Sequence, residues 1–181
     1  MSDPEILALA TPDWITTRVT VRGPADALAR FRAAARGPGL IPWLVDWDYE
    51  ETRLLAPMAP HGPAARTLAR LLRQAGEARA LRARAQTGCP FDLQRLVPVP
   101  APILQLGEEA PSARRWLWEH WGTTWPLRQV TLTERAARRR DSVRLEIGFV
   151  SADWTPWRAL QRIRADWPGL AFTVHPVGDG A

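Results

Sequence analysis

Between Leu127 and Val174 the apolar residues change period twice, and this constrains the fold more than any other feature of the chain. Val130 and Leu132 alternate with Gln129, Thr131 and Thr133. Val143, Leu145, Ile147 and Phe149 alternate with Arg144, Glu146 and Gly148. A period of two marks a half-buried strand, so 127–133 and 142–150 read as a hairpin joined by the polar stretch Glu134 to Asp141. Trp157, Leu160, Ile163 and Trp167 then recur at helical spacing, with Thr155 and Pro156 as a capped start and Pro168-Gly169 as the stop. Leu170, Phe172 and Val174 mark a final strand.

The same logic applies near the beginning. Thr17, Val19 and Val21 lie on one face of a strand over 15–23, and Thr16, Arg18, Thr20 and Arg22 lie on the other. Pro24 opens a helix that presents Ala27, Leu28, Phe31 and Ala34 on one side, and Gly37-Pro38-Gly39 ends it. The order is strand, helix, long insertion, strand, strand, helix, strand. Without the insertion this is the α+β, ferredoxin-like βαββαβ plan, an antiparallel sheet with both helices on one face. In that plan the strands at 15–22 and 142–150 are central.

One domain is expected, with a core over 13–39 and 110–177, a helical insertion over 40–88 and a proline-rich strap over 89–109. Residues 40–63 read as a loop with one short strand or turn, because Trp43, Val45, Trp47 and Tyr49 partly alternate with acids. Pro63 opens a helix to about residue 85, with Leu68, Leu71, Leu72 and Ala75 on one face and Arg66, Arg70, Arg73 and Glu77 opposite. Gly76 weakens that helix by about 1 kcal/mol relative to alanine, and Leu81 lies well off the apolar stripe, so two helices or one kinked helix ending near Gly88 are also expected. Ser112 caps a further helix that Gly122 stops.

Ten tryptophans in 181 residues imply that most indoles are core, since each buries roughly 150–250 Å². The net charge of +5 raises the prospect of a polyanionic partner. Every basic residue is arginine, however, which also fits a GC-rich coding bias. Cys89 is the only cysteine, which excludes an intrachain disulfide or a thiolate metal cluster. Met1 to Ala10 lacks the basic region of a secretory signal, and no apolar run approaches the ~20 residues of a spanning helix. A soluble cytoplasmic protein without a membrane partner is expected.

His120-Trp121-Gly122-Thr123-Thr124-Trp125, then a hairpin, then Phe149-Val150-Ser151-Ala152-Asp153-Trp154-Thr155-Pro156 before a helix, resembles the YubB-type ferredoxin-like family. These are uncharacterised proteins carried largely by plasmids, phages and other mobile elements. The pattern there is Asn-Trp-Gly-Thr-Lys-Trp, followed later by an aromatic, a threonine, an alanine and Trp-Ser-Pro. Here His120 and Thr124 stand for the asparagine and lysine, and Asp153 is an extra residue. Phe91-Asp92 through Pro100 is similar to that family's Phe-Asp-Phe and Pro-Met-Pro segment. The resemblance implies the ferredoxin-like fold and a mobile-element setting.

Two surfaces are candidates for function. Trp121, Thr123, Thr124, Trp125 and Trp154 can form an aromatic recess for a ligand or a partner's side chain, or simply pack on the sheet. Arg66, Arg70, Arg73 and Arg84 can hold phosphates along one helix, or be its solvated face. Arg138-Arg139-Arg140 forms a second basic cluster at the hairpin tip. The sheet's outward positions Thr16, Arg18, Thr20, Arg144, Glu146 and Gly148 include no aromatic, so a base-stacking platform is not expected, and Arg18 is expected to pair with Glu146.

Catalytic chemistry has little support. His61, His120 and His175 lack metal-ligand spacing, and Asp46, Asp48, Glu50 and Glu51 lack a glycine turn between them. Cys89 has no basic neighbour to activate it. No cofactor or metal is expected. The reading is a non-enzymatic binding or accessory protein acting through protein contacts. A nucleic-acid-binding protein using helix 63–85 is the alternative, and a small hydrolase-like enzyme stands third.

Overall fold

The structure, a computed structural model, describes residues 12–58, 62–136 and 143–177. Met1 to Ala10, His61, the Arg138-Arg139-Arg140 cluster, Asp141 and Ser142 lie outside the described residues. The strands are β1 (Trp14–Gly23), β2 (Arg128–Ala136), β3 (Val143–Ala152) and β4 (Ala171–Val177). They form one antiparallel sheet in the order β2-β3-β1-β4, with β1 and β3 central. Seven α-helices accompany it among the described residues: α1 (Ala25–Ala35), α2 (Trp47–Leu55), α3 (Pro63–Ala85), α4 (Leu93–Leu96), α5 (Ala101–Leu104), α6 (Pro111–His120) and α7 (Trp157–Asp166). No helix among the described residues is long and apolar enough to cross a membrane.

The alternation in the strands sets which face is buried. Thr17, Val19 and Val21 of β1 and Leu145, Ile147 and Phe149 of β3 point into one core, where Leu28, Phe31 and Ala35 of α1 meet Ala159, Leu160 and Ile163 of α7. Phe31 sits edge-on to Trp167 at 5.2 Å and to Phe172 at 5.5 Å, while Phe91 of the strap stacks on Phe149 at 5.9 Å. The opposite face of the sheet carries no described helix.

Asp92 fastens the strap. Its carboxylate accepts the backbone N–H groups of Gly39 at 3.0 Å and Gln94 at 2.9 Å, and its own N–H donates to the Ala35 carbonyl at 2.8 Å. Burial pushes the Asp92 carboxyl up from its ordinary value, partly countered by those two N–H groups. The folded state therefore holds this proton more tightly than the unfolded chain does. The contribution of Asp92 to stability is greatest on the acid side and falls as pH rises from about 3.9 through the raised folded value. Urea titrations across that window should show the stability of the wild type minus that of Asp92→Asn declining with pH; a flat difference would remove the assignment.

Several local features depart from the sequence expectations. Residues 47–55 are a helix, not a loop or strand, because the Asp46 carboxylate caps the N–H groups of Asp48 and Tyr49. The helix over 63–85 is continuous through Gly76. Ser112 is not the cap of α6, which starts on Pro111 with Ala110 at the capping position. The Thr155 hydroxyl does not cap α7 either; it is buried 3.1 Å from that of Thr17. Gly122 does end α6, at φ +79, with its N–H on the carbonyls of Leu117 and Trp118.

Of the ten tryptophans only Trp121 is fully buried, and Trp154 and Trp157 are exposed. The others lie half-buried, consistent with an amphipathic ring that covers apolar surface with one side and meets water with the other. On the open face β1 begins at Trp14, one residue earlier than expected, so that face does carry an indole. Glu146 pairs with Arg135 and Arg144 rather than with Arg18.

Candidate functional site

The insertion is built on small residues. At 100° per residue, Ala65, Ala69, Gly76, Ala80 and Ala83 share one side of α3 with Arg73. That side faces inward: Ala69 is 1% exposed and the others are half-buried. The Trp47 indole of α2 lies over Gly76, where an added Cβ would come within 2.6 and 2.7 Å of its ring carbons. Gly76 is thus the slot that lets α2 approach α3.

Arg73 completes the joint. Its guanidinium bonds Glu77 Oε1 at 3.0 Å, Glu51 Oε2 at 3.2 Å and the carboxylate of Asp48. These carboxylates, Glu77 first, hold the arginine proton well above its ordinary value. The acids of the 46–51 stretch are therefore spent on a helix cap (Asp46), on this ion cluster (Asp48 and Glu51) and on the Glu50 pair with Arg53 at 2.6 Å. Arg84 donates to the carbonyls of Trp43 at 2.6 Å and Pro42 at 3.3 Å. Two of the four arginines expected to hold phosphate, Arg73 and Arg84, thus brace the insertion, and of the four only Arg66 and Arg70 stand exposed without a bonded partner among the described residues.

Packing α3 through its small residues leaves its leucines outside. Leu68, Leu71 and Leu72 are 50%, 57% and 48% exposed. With Ala75 they form a stripe centred about 110° from the middle of the buried side, Leu72 lying nearest to it. Arg79 and Arg82 continue its line, and the stripe contains no carboxylate. Apolarity predicts that this face turns inward; the structure turns it to solvent.

The aromatic recess expected from the tryptophan stretch is distributed over separate places. Trp121 is buried and its Nε1 donates to the Val97 carbonyl at 2.8 Å, while the buried Thr123 hydroxyl donates to the Ala152 carbonyl at 3.0 Å. Their polar groups are occupied within the fold. Thr124 is half-buried. Trp154 is exposed and meets Trp118 edge-on at 6.2 Å. Trp125 belongs to another group, in which the Arg128 guanidinium lies 3.9 Å over the Trp14 ring and 5.8 Å from the Trp125 ring.

That group depends on an irregularity in β2. Arg128 pairs with Val150 and Thr131 with Gly148, so Gln129 and Val130 together oppose a single residue, and Gln129 adopts φ +50. A bulge of this kind inverts the facing of everything before it. It puts Arg128 on the open side of the sheet, beside Trp14. No local sequence signal announces it.

The remaining titratable groups are dispersed. His120 stacks on Trp116 at 4.2 Å, with its Nδ1 2.9 Å from the Trp116 carbonyl, beside a groove of about 720 Å³ between α6 and α7. His175 lies on β4, opposite Arg18. Burial pushes the Cys89 thiol up from its ordinary value, and its sulfur lies 3.3 Å from the Phe91 carbonyl, to which it donates. Among the described residues no group of His, Cys, Asp and Glu is arranged to hold a metal ion.

Comparison with family models, curated proteins and solved structures finds no match to the chain.

Proposed function

We propose that this protein is a non-enzymatic, cytoplasmic accessory protein whose helical insertion docks a partner protein through the leucine stripe of α3. The observation that carries the reading is the orientation of α3, which buries its alanines and glycine and exposes Leu68, Leu71 and Leu72. An amphipathic helix that turns its apolar stripe to water has the form of half a helix-in-groove contact. The flanking charge narrows the partner. Arg79 and Arg82 continue the line of the stripe toward the helix C-terminus, and a second copy of this helix offers no carboxylate there to meet them. An amphipathic helix with apolar anchors and acidic flanks fits, whereas self-association would set guanidinium groups against leucine or against each other.

The fold reading beneath this is ferredoxin-like. The strand order, with α1 following β1 and α7 following β3 on the same buried face, supports it. The resemblance to the YubB-type family supports a role alongside a mobile genetic element. The separation of His120 from His175 favours binding over catalysis.

Leu71→Glu combined with Leu72→Glu separates docking from packing. If the stripe is a docking face, the double variant should keep the wild-type stability within about 0.5 kcal/mol. It should also lose the cross-links that a photoreactive residue at position 68 forms with a host protein bearing an acidic helix. A loss of about 2–5 kcal/mol would make these leucines structural. Cross-links that persist in the double variant, or that join two copies of this chain, would refute the proposal.

A further inference from the structure

We propose that the uncovered face of the sheet is a binding site for single-stranded nucleic acid, separate from the α3 surface. The pairing register fixes what lies on it. Arg135, Arg144 and Arg22 stand side by side across β2, β3 and β1. Two positions further along β1 is Thr20, and two beyond that Arg18, which faces Gly148 on one side and His175 on the other. At the far end, Arg128 shares its row with Val150 and Thr16 and stacks on Trp14. Among the described residues the face therefore carries five guanidinium groups against one carboxylate, that of Glu146. That is a local excess of four positive charges on one side of a sheet, in a chain whose formal net charge is +5.

This arrangement works against the fold. Like charges on directly opposed strand positions destabilise a sheet, and here three arginines are consecutive neighbours. Glu146 relieves two of them, accepting from Arg135 Nε at 2.8 Å and from Arg144 Nη2 at 2.9 Å. Arg18 and Arg22 have no charged partner among the described residues. A merely solvated face would interleave the two signs. An anion lying across the face offsets the repulsion.

Its shape selects an extended anion. Arg18 and Arg22 are four residues apart on one strand, about 13 Å at ~3.3 Å per residue, too far for one phosphate group to bridge. Gly148 leaves the middle of the face flat. No described element projects from it, as reading the groove of a duplex requires. The end at Trp14 and Trp125 supplies what a bare polyphosphate cannot use. Two indoles, 3.9 and 5.8 Å from one guanidinium, give an aromatic and cationic surface on which an unstacked base can lie. Phosphates on the arginine rows and a base on Trp14 together describe a single strand.

The test is fluorescence anisotropy with labelled oligouridylate and oligothymidylate, using the full chain. Both should bind at low salt and more tightly than a duplex of equal length; a preference for either single strand supports the site. Arg18→Gln with Arg22→Gln should weaken binding at least tenfold and reduce the salt slope by about 1.4, at ~0.7 per lost phosphate contact. Arg18→Lys with Arg22→Lys should retain most of it. Trp14→Ala should weaken binding roughly five- to a hundredfold, and Trp14→Phe should recover most of the loss, which separates stacking from a folding defect. Absence of binding at low salt, or full binding by the Arg18/Arg22 glutamine variant, would overturn the proposal. So would loss of binding on Arg66→Gln with Arg70→Gln instead, or equal competition by duplex, inorganic polyphosphate or anionic phospholipid vesicles.

Discussion

Trp121→Ala is expected to lower stability by about 3–5 kcal/mol, the largest effect of any single change considered for this chain. The residue is 1% exposed and joins three elements. It closes α6 through its N–H on the Leu117 carbonyl at 2.7 Å, its indole N–H holds the strap at the Val97 carbonyl, and its own carbonyl accepts the N–H of Ala159 in α7 at 3.2 Å. Truncation leaves a cavity among Leu117, Phe91 and the strap residues, and it orphans a carbonyl. Trp121→Phe isolates the second effect: it retains most of the apolar area and loses the donor, so about 1–3 kcal/mol is expected. Chemical denaturation of both variants checks the pair. Equal losses would mean that the hydrogen bond, not the packing, dominates, and negligible losses would place the indole outside the core.

Gly76→Ala has an expected sign opposite to that of helix propensity. In an open helix the change would stabilise by about 1 kcal/mol. Here the new methyl would stand 2.6–2.7 Å from the Trp47 ring. The ring cannot yield without moving α2, and such overpacking costs about 1–3 kcal/mol. Net destabilisation is expected, accompanied by greater solvent exposure of Trp47, which indole fluorescence in a background of Trp47→Phe controls can follow. A stabilised Gly76→Ala protein would mean that Trp47 does not occupy the slot. Trp47→Ala should restore tolerance to alanine at position 76, since the two groups compete for one volume.

These two positions show where sequence reasoning holds and where it stops. The strands were legible because one face of each is core and the other is water, so Val19 and Val21 alternate with arginine and threonine. Helices α1 and α7 were legible because their apolar spacing ends at glycine and proline. α2 was not, since alternation from Trp43 to Tyr49 imitates a strand over a short window. The competing signal was present in Asp46 ahead of Asp48 and Glu50, acids in a first turn. In α3 the helix was legible but its inward face was not. Apolarity favours the leucines, whereas close approach of Trp47 requires alanine and glycine, and that requirement lies in another element. The same holds for Arg128, whose facing depends on a bulge at a non-glycine residue. For the candidate surfaces, sequence identified the leucines and arginines as residue types; only the fold could say which arginines are spent on Asp48, Glu51, Glu77 and the Trp43 carbonyl.

The base of the insertion has a consequence of its own. Gly37 and Cys89 exchange both backbone hydrogen bonds at 3.0 Å, and Arg36 reaches the Thr87 carbonyl at 2.7 Å. The two ends of the α2–α3 excursion are thus pinned together just after α1 ends and where the strap begins. Its length is therefore nearly invisible to the rest of the molecule, because closing a longer loop between the same two points adds little entropy. A lineage could lengthen, shorten or exchange the α2 and α3 helices while inheriting the sheet, and the Gly39 and Ile41 contacts to the core, unchanged. The partner-facing helix and the arginine-bearing sheet are in that sense free to diversify at different speeds.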